Sequence, residues 1–267
     1  MNEAPGEALD PHTEAHAERG LQNFIVASGI WARASGGTTW GYPGLHCFES
    51  TVQRRAFNQV IIDTSASCSD DDLRAAMSRV EASGLRYRFR LRHVIDHEMR
   101  PRLEELGLVH GGGLPALAFD GVLPPERATG LRVEPVTGES NLRDHVAIVA
   151  EAFGWEADQL GQVFRPALLD EPAWFGWVGY ENGDPVAASQ LVVGDDTGGL
   201  YYVAVLSSHR RKRYGEAITR IAVEAALDQG CNLVTLSASQ DGYPVYKALG
   251  FHDAGHHVGY TTPNGED

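Results

Sequence analysis

The chain has 267 residues, a formal net charge of −14, and 43% hydrophobic and 22% charged residues. That composition fits a globular protein of one large or two modest domains. The acidic balance argues against general nucleic-acid binding, which needs a basic footprint, and no apolar run approaches the ~18 residues of a membrane span. The opening residues are acidic and polar rather than signal-like. Cys47, Cys68 and Cys231 are scattered, odd in number and without metal spacing. They read as reduced thiols of a cytoplasmic protein with no metal site.

Residues 1–18 carry acidic residues, Pro5 and Gly6 and no apolar period, and are expected to form a mobile acidic tail. Asp10-Pro11 can nonetheless open a helix, with Leu21, Ile25, Ile30 and Trp31 as its buried stripe. Residues 34–44 are turn-rich. Leu45–Ser50 and Gln59–Asp63 read as strands, and Ser69 with three following aspartates caps a helix through about Ser83. Tyr87–Leu91 reads as a half-exposed strand, Arg100–Leu106 as a short helix, and His110 with Gly111–Gly113 as loop before a strand at Ala116–Phe119. Leu123–Gly130, with its Pro pair and Gly, is a connector.

Beyond the connector the order is a strand at Leu131–Pro135, an amphipathic helix at Asn141–Phe153, and strands at Trp174–Tyr180, Pro185–Val193 and Leu200–Leu206. A helix from Gly215 to about Gln229, a strand at Leu233–Leu236, a short helix at Pro244–Leu249 and a last strand at Phe251–Tyr260 follow. Antiparallel hairpins followed by a crossover predict an α+β (mixed α/β) fold, not a doubly wound parallel sheet.

The densest chemistry lies between Leu200 and Thr219. An apolar strand runs into His209, Arg210, Arg211, Lys212 and Arg213, and a helix then opens at Gly215. The first N–H groups of a helix lack internal partners and its dipole adds positive charge there, so this order builds an anion site.

Arg210 to Gly215 resembles the loop of the GNAT (GCN5-related) N-acetyltransferases, Arg/Gln-x-x-Gly-x-Gly/Ala, except that Arg213 stands at the middle Gly. Arg213 either narrows the loop or grips phosphate itself. Residues 242–251, with Pro244-Val245-Tyr246 and Leu249-Gly250-Phe251, resemble the family's tail segment more closely.

The resemblance covers residues 131–261 and implies a splayed mixed sheet with acetyl-CoA, or another acyl-CoA, in the gap. It places Val203, Ala204 and Val205 along the pantetheine arm. Arg210, Arg211, Lys212, Arg213, Tyr214, Gly215 and Glu216 fall around the phosphates, Ser239 falls beside the cofactor, and Tyr246 is the proton donor to the leaving thiolate. Tyr243 is the nearby competitor. Glu151 is a candidate base acting through water, with a solvated helix-face residue as the alternative.

The rhythm of the first half suggests two tandem copies, with a degenerate GNAT-like domain at 19–122 and an acyl-CoA-binding domain at 131–262. The activity implied is N-acylation of a small-molecule amine. A non-catalytic acyl-CoA-binding or regulatory module, or O-acyl transfer on the same fold, is the alternative. A homodimer is left open.

Overall fold

Asp10 accepts hydrogen bonds from the N–H groups of His12 and Thr13 (3.0 and 3.2 Å), so α1 (Pro11–Ser35) starts where the Asp-Pro pair suggests. The computed structural model describes residues 9–263. The expected mobile tail of residues 1–18 is thus corrected from Pro11 onward, because Asp10 satisfies the first-turn donors. Its first eight residues lie outside the described ones.

α1 is followed by β1 (Thr38–Tyr42), β2 (Leu45–Glu49), β3 (Gln59–Ile62), α2 (Asp70–Ser83), β4 (Arg88–Arg92), α3 (Met99–Glu105) and β5 (Val109–Phe119). Then come β6 (Arg132–Pro135), α4 (Glu139–Phe153), α5 (Ala157–Val163), β7 (Trp174–Glu181), β8 (Asp184–Gly194) and β9 (Thr197–Val205). The series closes with α6 (Tyr214–Asp228), β10 (Leu233–Ser237), α7 (Tyr243–Ala248) and β11 (His252–Thr261). The architecture is mixed α/β with mixed sheet flanked by helices, as expected. Among the described residues no helix is long and apolar enough to cross a membrane.

Two compact units are present, and the division is not linear. Leu117–Asp253 form one unit; the chain up to Ala116, together with the segment from Ala254 onward, forms the other. The sequence placed a single boundary at the connector and kept the last strand with the second half. The difference arises because β11 is antiparallel to β4 (His257↔Arg92, Tyr260↔Phe89) and its Val258 and Tyr260 join the first unit's core.

In the first unit the strand order is β1-β2-β3-β4-β11-β5, over a core that includes Leu45, Ile62, Leu73, Phe89 and Met99. Two stretches expected as turn or loop are strands. Residues 38–42 pair with β2 in a hairpin turning at Pro43-Gly44. His110 and Gly111–Gly113 lie within β5, where a Cβ on Gly113 would come within 2.3 Å of the His257 carbonyl oxygen. Gly113 serves close backbone approach, and Gly112, at φ +87°, takes a left-handed turn of the strand.

In the second unit the last residues of β5 begin the order β5-β10-β9-β8-β7-β6. β6 to β9 are antiparallel neighbours, and α6 crosses over to bring β10 parallel to β9. α6 buries Ile218, Ala222, Val223 and Ala226 in a core shared with Leu191, Leu200, Val234 and Phe251. Ile218 is fully buried. Ile218→Ala is expected to cost about 2–5 kcal/mol, by lost transfer energy plus a cavity, and urea unfolding checks this.

Candidate active site

β9 and β10 pair only at Thr197↔Leu233, Gly198↔Val234 and Gly199↔Thr235. Beyond that point no pairing between the two strands is present among the described residues, and a cleft opens. Its volume is about 910 Å³. One wall is Val203–Val205 of β9. The other is Ser239 and Asp241 with Gly242, Pro244, Val245, Tyr246 and Ala248 of the α7 segment.

The exposed edge of β9 carries usable backbone groups. The N–H of Leu206 donates to Val186 O (3.0 Å), which makes Ala187↔Val205 a non-hydrogen-bonded pair. The N–H and C=O of Val205 therefore face away from β8, toward the cleft. A β-bulge precedes them: between Gln190↔Tyr201 and Ala188↔Ala204, β9 carries one residue more than β8. Tyr202 takes up the bulge at φ +50°, a left-handed conformation rare for a bulky residue.

Opposite the bulge lies a buried polar network. Gln190 accepts from Trp174 Nε1 (3.0 Å) and donates to His145 Nε2 (3.0 Å), and His145 Nδ1 donates to the Trp177 carbonyl (3.3 Å). These bonds assign the neutral Nδ1–H tautomer. Burial pushes the His145 imidazole down to about 4.

The floor of the cleft is the start of α6. Arg213 is its N-cap at φ +61°, ψ +18°, with no side-chain cap. The first intrahelical bond runs from Ala217 N to Arg213 O (3.0 Å), which leaves the N–H groups of Tyr214, Gly215 and Glu216 without helical partners. Arg213 thus holds a left-handed backbone of the kind that favours glycine, and Arg211 does the same at φ +63°. Gly215 lines the cleft, and a Cβ on it would make only ordinary contact with Val205 at 3.7 Å. The protein's own packing does not require glycine here; the open space above it is what its small size preserves.

Neighbouring carboxylates sort the basic loop. Glu181, at the end of β7, accepts from Lys212 Nζ (2.8 Å to each oxygen) and from the Tyr214 hydroxyl, and lies 3.3 Å from His209 Nε2. The Lys212 ammonium, followed by the Tyr214 hydroxyl, holds the Glu181 carboxyl below the usual carboxylate range. Arg210 pairs with Asp241 (3.3 Å). Arg211 and Arg213 have no carboxylate partner among the described residues, and both line the cleft. Lys212, expected at the phosphates, is held by Glu181 instead and is not among the cleft-lining residues. Glu216 lines the cleft but is forked by Arg127 of the connector (Nε to Oε1, 2.9 Å, with a second bond from Nη2 to Oε2).

Tyr246 lines the cleft from α7 and is buried. Its hydroxyl has no hydrogen-bond partner among the described residues, and burial pushes its phenol well up. The competitor Tyr243 does not line the cleft; its hydroxyl donates to Asp253 (2.8 Å), which also takes Lys247 (3.0 Å). Ser239 lines the cleft and accepts from Gly242 N (3.1 Å), fixing the turn into α7. Glu151 is exposed on α4 and is not among the cleft-lining residues, unlike its neighbours Ala152 and Phe153. Sequence reasoning missed Arg127, Glu181, Asp241 and Tyr202; nothing local marks an acidic residue as the partner of a loop some thirty residues away.

Residues 142–251 match the model of the acetyltransferase (GNAT) family. Residues 142–251, within the second unit, are a GNAT domain.

A mycothiol acetyltransferase of Corynebacterium jeikeium (strain K411) is 29% identical over 119 residues, which is 43% of this chain and 31% of that protein. The chain thus spans about a third of that relative's length. A GCN5-related N-acetyltransferase from Kribbella flavida superposes with a TM-score of 0.73 at 22% identity, covering 93% of this chain and 96% of that one. A second, from Sphaerobacter thermophilus, gives 0.61 at 16% identity over 84% and 78%. At these identities the structural likeness speaks for the fold.

Two stability predictions follow from the geometry of the GNAT domain. An Arg→Gly exchange at an ordinary position costs about 0.5–1 kcal/mol, but at Arg213 the relief of the left-handed backbone offsets it. Arg213→Gly is therefore expected to leave the urea midpoint unchanged or raised. Between pH ~6.5 and 4 the unfolded chain protonates at His145 while the folded one does not, so stability is lost as pH falls through that window. Urea midpoints measured across it are expected to fall less steeply in His145→Gln.

Proposed function

We propose that the GNAT domain is an acyl-CoA-dependent N-acyltransferase, using acetyl-CoA or another acyl-CoA, that acts on a small amine. The observation that carries this reading is the pair Arg211 and Arg213. Of five clustered basic residues, these two lack a carboxylate partner among the described residues and line the cleft at an uncapped helix start. That combination suits a diphosphate, received by the first N–H groups of α6 and by two guanidinium forks. Arg213 keeps a left-handed backbone accessible to glycine, which suits a loop whose motif carries glycine at this position.

The edge of β9 at Val203–Val205 suits an extended amide-bearing arm, which would add to it as a strand adds to a sheet. When bound, an acyl thioester supplies an activated carbonyl carbon. The Val205 N–H is aimed at the cleft and would stabilise negative charge developing on the carbonyl oxygen. The neutral amine forms the C–N bond as the C–S bond breaks. The sulfur leaves with the electron pair and takes a proton from the Tyr246 hydroxyl, and the proton lost by the amine passes to solvent, from which Tyr246 is reprotonated. Burial keeps Tyr246 protonated well above neutral pH, which suits a donor.

We also read the first unit as a degenerate copy that holds no cofactor. Its β3–α2–β4 crossover is parallel like β9–α6–β10, yet α2 begins with a Ser69–Asp72 capping box and three aspartates, which exclude an anion. Three buried free thiols suit a cytoplasmic setting.

Calorimetric titration with CoA and acetyl-CoA tests the binding site. Arg211→Glu and Arg213→Glu are each expected to weaken binding about 10- to 100-fold, the range for a charge-assisted contact. The absence of heat from the unaltered protein would remove the enzymatic reading. Thiol release in Tyr246→Phe is expected to fall about 100-fold in kcat, with CoA affinity held within about threefold. Unchanged turnover would move the proton donor elsewhere.

A further inference from the structure

Where β9 enters the cleft at Tyr202, upstream of the strand edge that leads to the arginine loop, the chemistry differs. Ala152 and Phe153 line the cleft, and Phe153 is 45% exposed although it sits on the apolar stripe of α4. Phe153 packs with Trp155 (ring centroids 5.1 Å) and Tyr202 (6.2 Å). Tyr202, turned by the bulge, also meets Trp155 (6.1 Å) and Phe164 (5.0 Å). Glu151, Glu156 and Asp158 flank this cluster in the chain. All three are exposed, and none has a cationic partner among the described residues. From 144 to 164 there is no Lys or Arg. The last turn of α4 also carries no basic residue, so its dipole end is uncompensated.

An aromatic cluster that opens on the cleft at Phe153, with exposed unpaired carboxylates close by in the chain and Trp155 and Tyr202 packed behind it, favours a cation. The attacking nitrogen cannot be that cation, because it needs its lone pair. Resting on the N-acyltransferase reading above, we infer that the acceptor is a small diamine: one nitrogen, neutral, attacks the thioester, while the second, still an ammonium, is held at the Phe153–Trp155–Tyr202 face. Phe153 and Trp155 are then specificity-determining residues. The transfer balances as before. One C–N bond forms, one C–S bond breaks, and the acceptor's lost proton goes to solvent while its second nitrogen stays charged.

Steady-state kinetics with acetyl-CoA and four acceptors tests this: 1,3-diaminopropane, 1,4-diaminobutane, butylamine, which lacks the second cation, and 4-aminobutanoate, which replaces it with an anion. The kcat/KM for at least one diamine is expected to exceed that for butylamine by about 3- to 30-fold, the span of cation–π contacts from exposed to desolvated, with 4-aminobutanoate lowest. In Phe153→Leu and Trp155→Leu the diamine-to-butylamine ratio is expected to fall toward one, through KM rather than kcat.

CoA titration reports whether each variant is folded. The double exchange Glu151→Gln with Glu156→Gln, at exposed positions, gives the same readout if an aromatic variant fails to fold. A wild-type ratio near one, a preference for 4-aminobutanoate, a ratio that no variant changes, or no transfer to any of the four by protein that binds acetyl-CoA would each overturn the diamine assignment and leave the cofactor site standing. No CoA binding by the unaltered protein would instead take down the reading on which it rests.

Discussion

The loss of pairing between β9 and β10 beyond Gly199 and Thr235 is the constraint on which the second unit is built. Parallel strands joined by a helix normally satisfy one another's backbone groups along their length. Here they do so for three residues and then part. The parting is supported from both sides. On β9, the bulge at Tyr202 re-aims the strand, and the His145–Gln190–Trp174 network fixes β8 opposite it. On the β10 side, Ser239 bonds Gly242 N and turns the chain directly into α7. The resulting gap carries an open strand edge on one wall, where only the Val205 carbonyl takes a long bond from Arg210 Nε (3.5 Å), and a buried phenol on the other.

Electrostatics then decides which charges face the gap. A loop of five basic residues would by itself be a diffuse positive surface. Glu181 draws His209, Lys212 and Tyr214 to the end of β7, and Asp241 draws Arg210. What remains is a pair of arginines two residues apart, both with left-handed backbone, at a helix start that the chain does not cap itself. Left-handed conformations cost about 1–2 kcal/mol per non-glycine residue. Two such residues within three positions, beside an uncapped helix, cluster strain at the cleft, where the acyl-CoA proposed above would sit.

Element order was largely legible in the sequence because its signals are local. Asp10-Pro11, the Ser69–Asp72 box and Gly84 mark helix ends, and the period of α6 marks its buried face. What was not legible depends on partners distant in the chain. Residues 38–42 read as turn because of their glycines, and become a strand only by pairing with β2. Gly111–Gly113 read as loop until the His257 backbone is brought against Gly113. Lys212 read as a phosphate ligand because its competitor, Glu181, lies on another strand. The exposure of Phe153 was not legible either, since periodicity reports which face of a helix a residue occupies and not whether a cleft opens beside it. The assignment of Tyr246 over Tyr243 likewise needed Asp253, six residues beyond Lys247, to take the other hydroxyl.

The same crossover occurs in both units, and its two versions differ in how the helix begins. In β3–α2–β4 the Ser69 hydroxyl accepts from Asp72 N (3.1 Å), the Asp72 carboxylate takes Ser69 N (3.3 Å), and Asp70, Asp71 and Asp72 place negative charge on the first turn. Two of the donors at this helix start, Ser69 N and Asp72 N, are taken, and the charge is of the wrong sign for an anion. In β9–α6–β10 the cap has no side-chain bond, the one acidic residue of the first turn, Glu216, is neutralised by Arg127 from outside the helix, and arginines replace aspartates. A self-capped helix start is the more stable choice for a fold alone. Leaving it open on one crossover, and correcting its only carboxylate with a residue from the connector, is understandable as the requirement of a ligand that completes the cap.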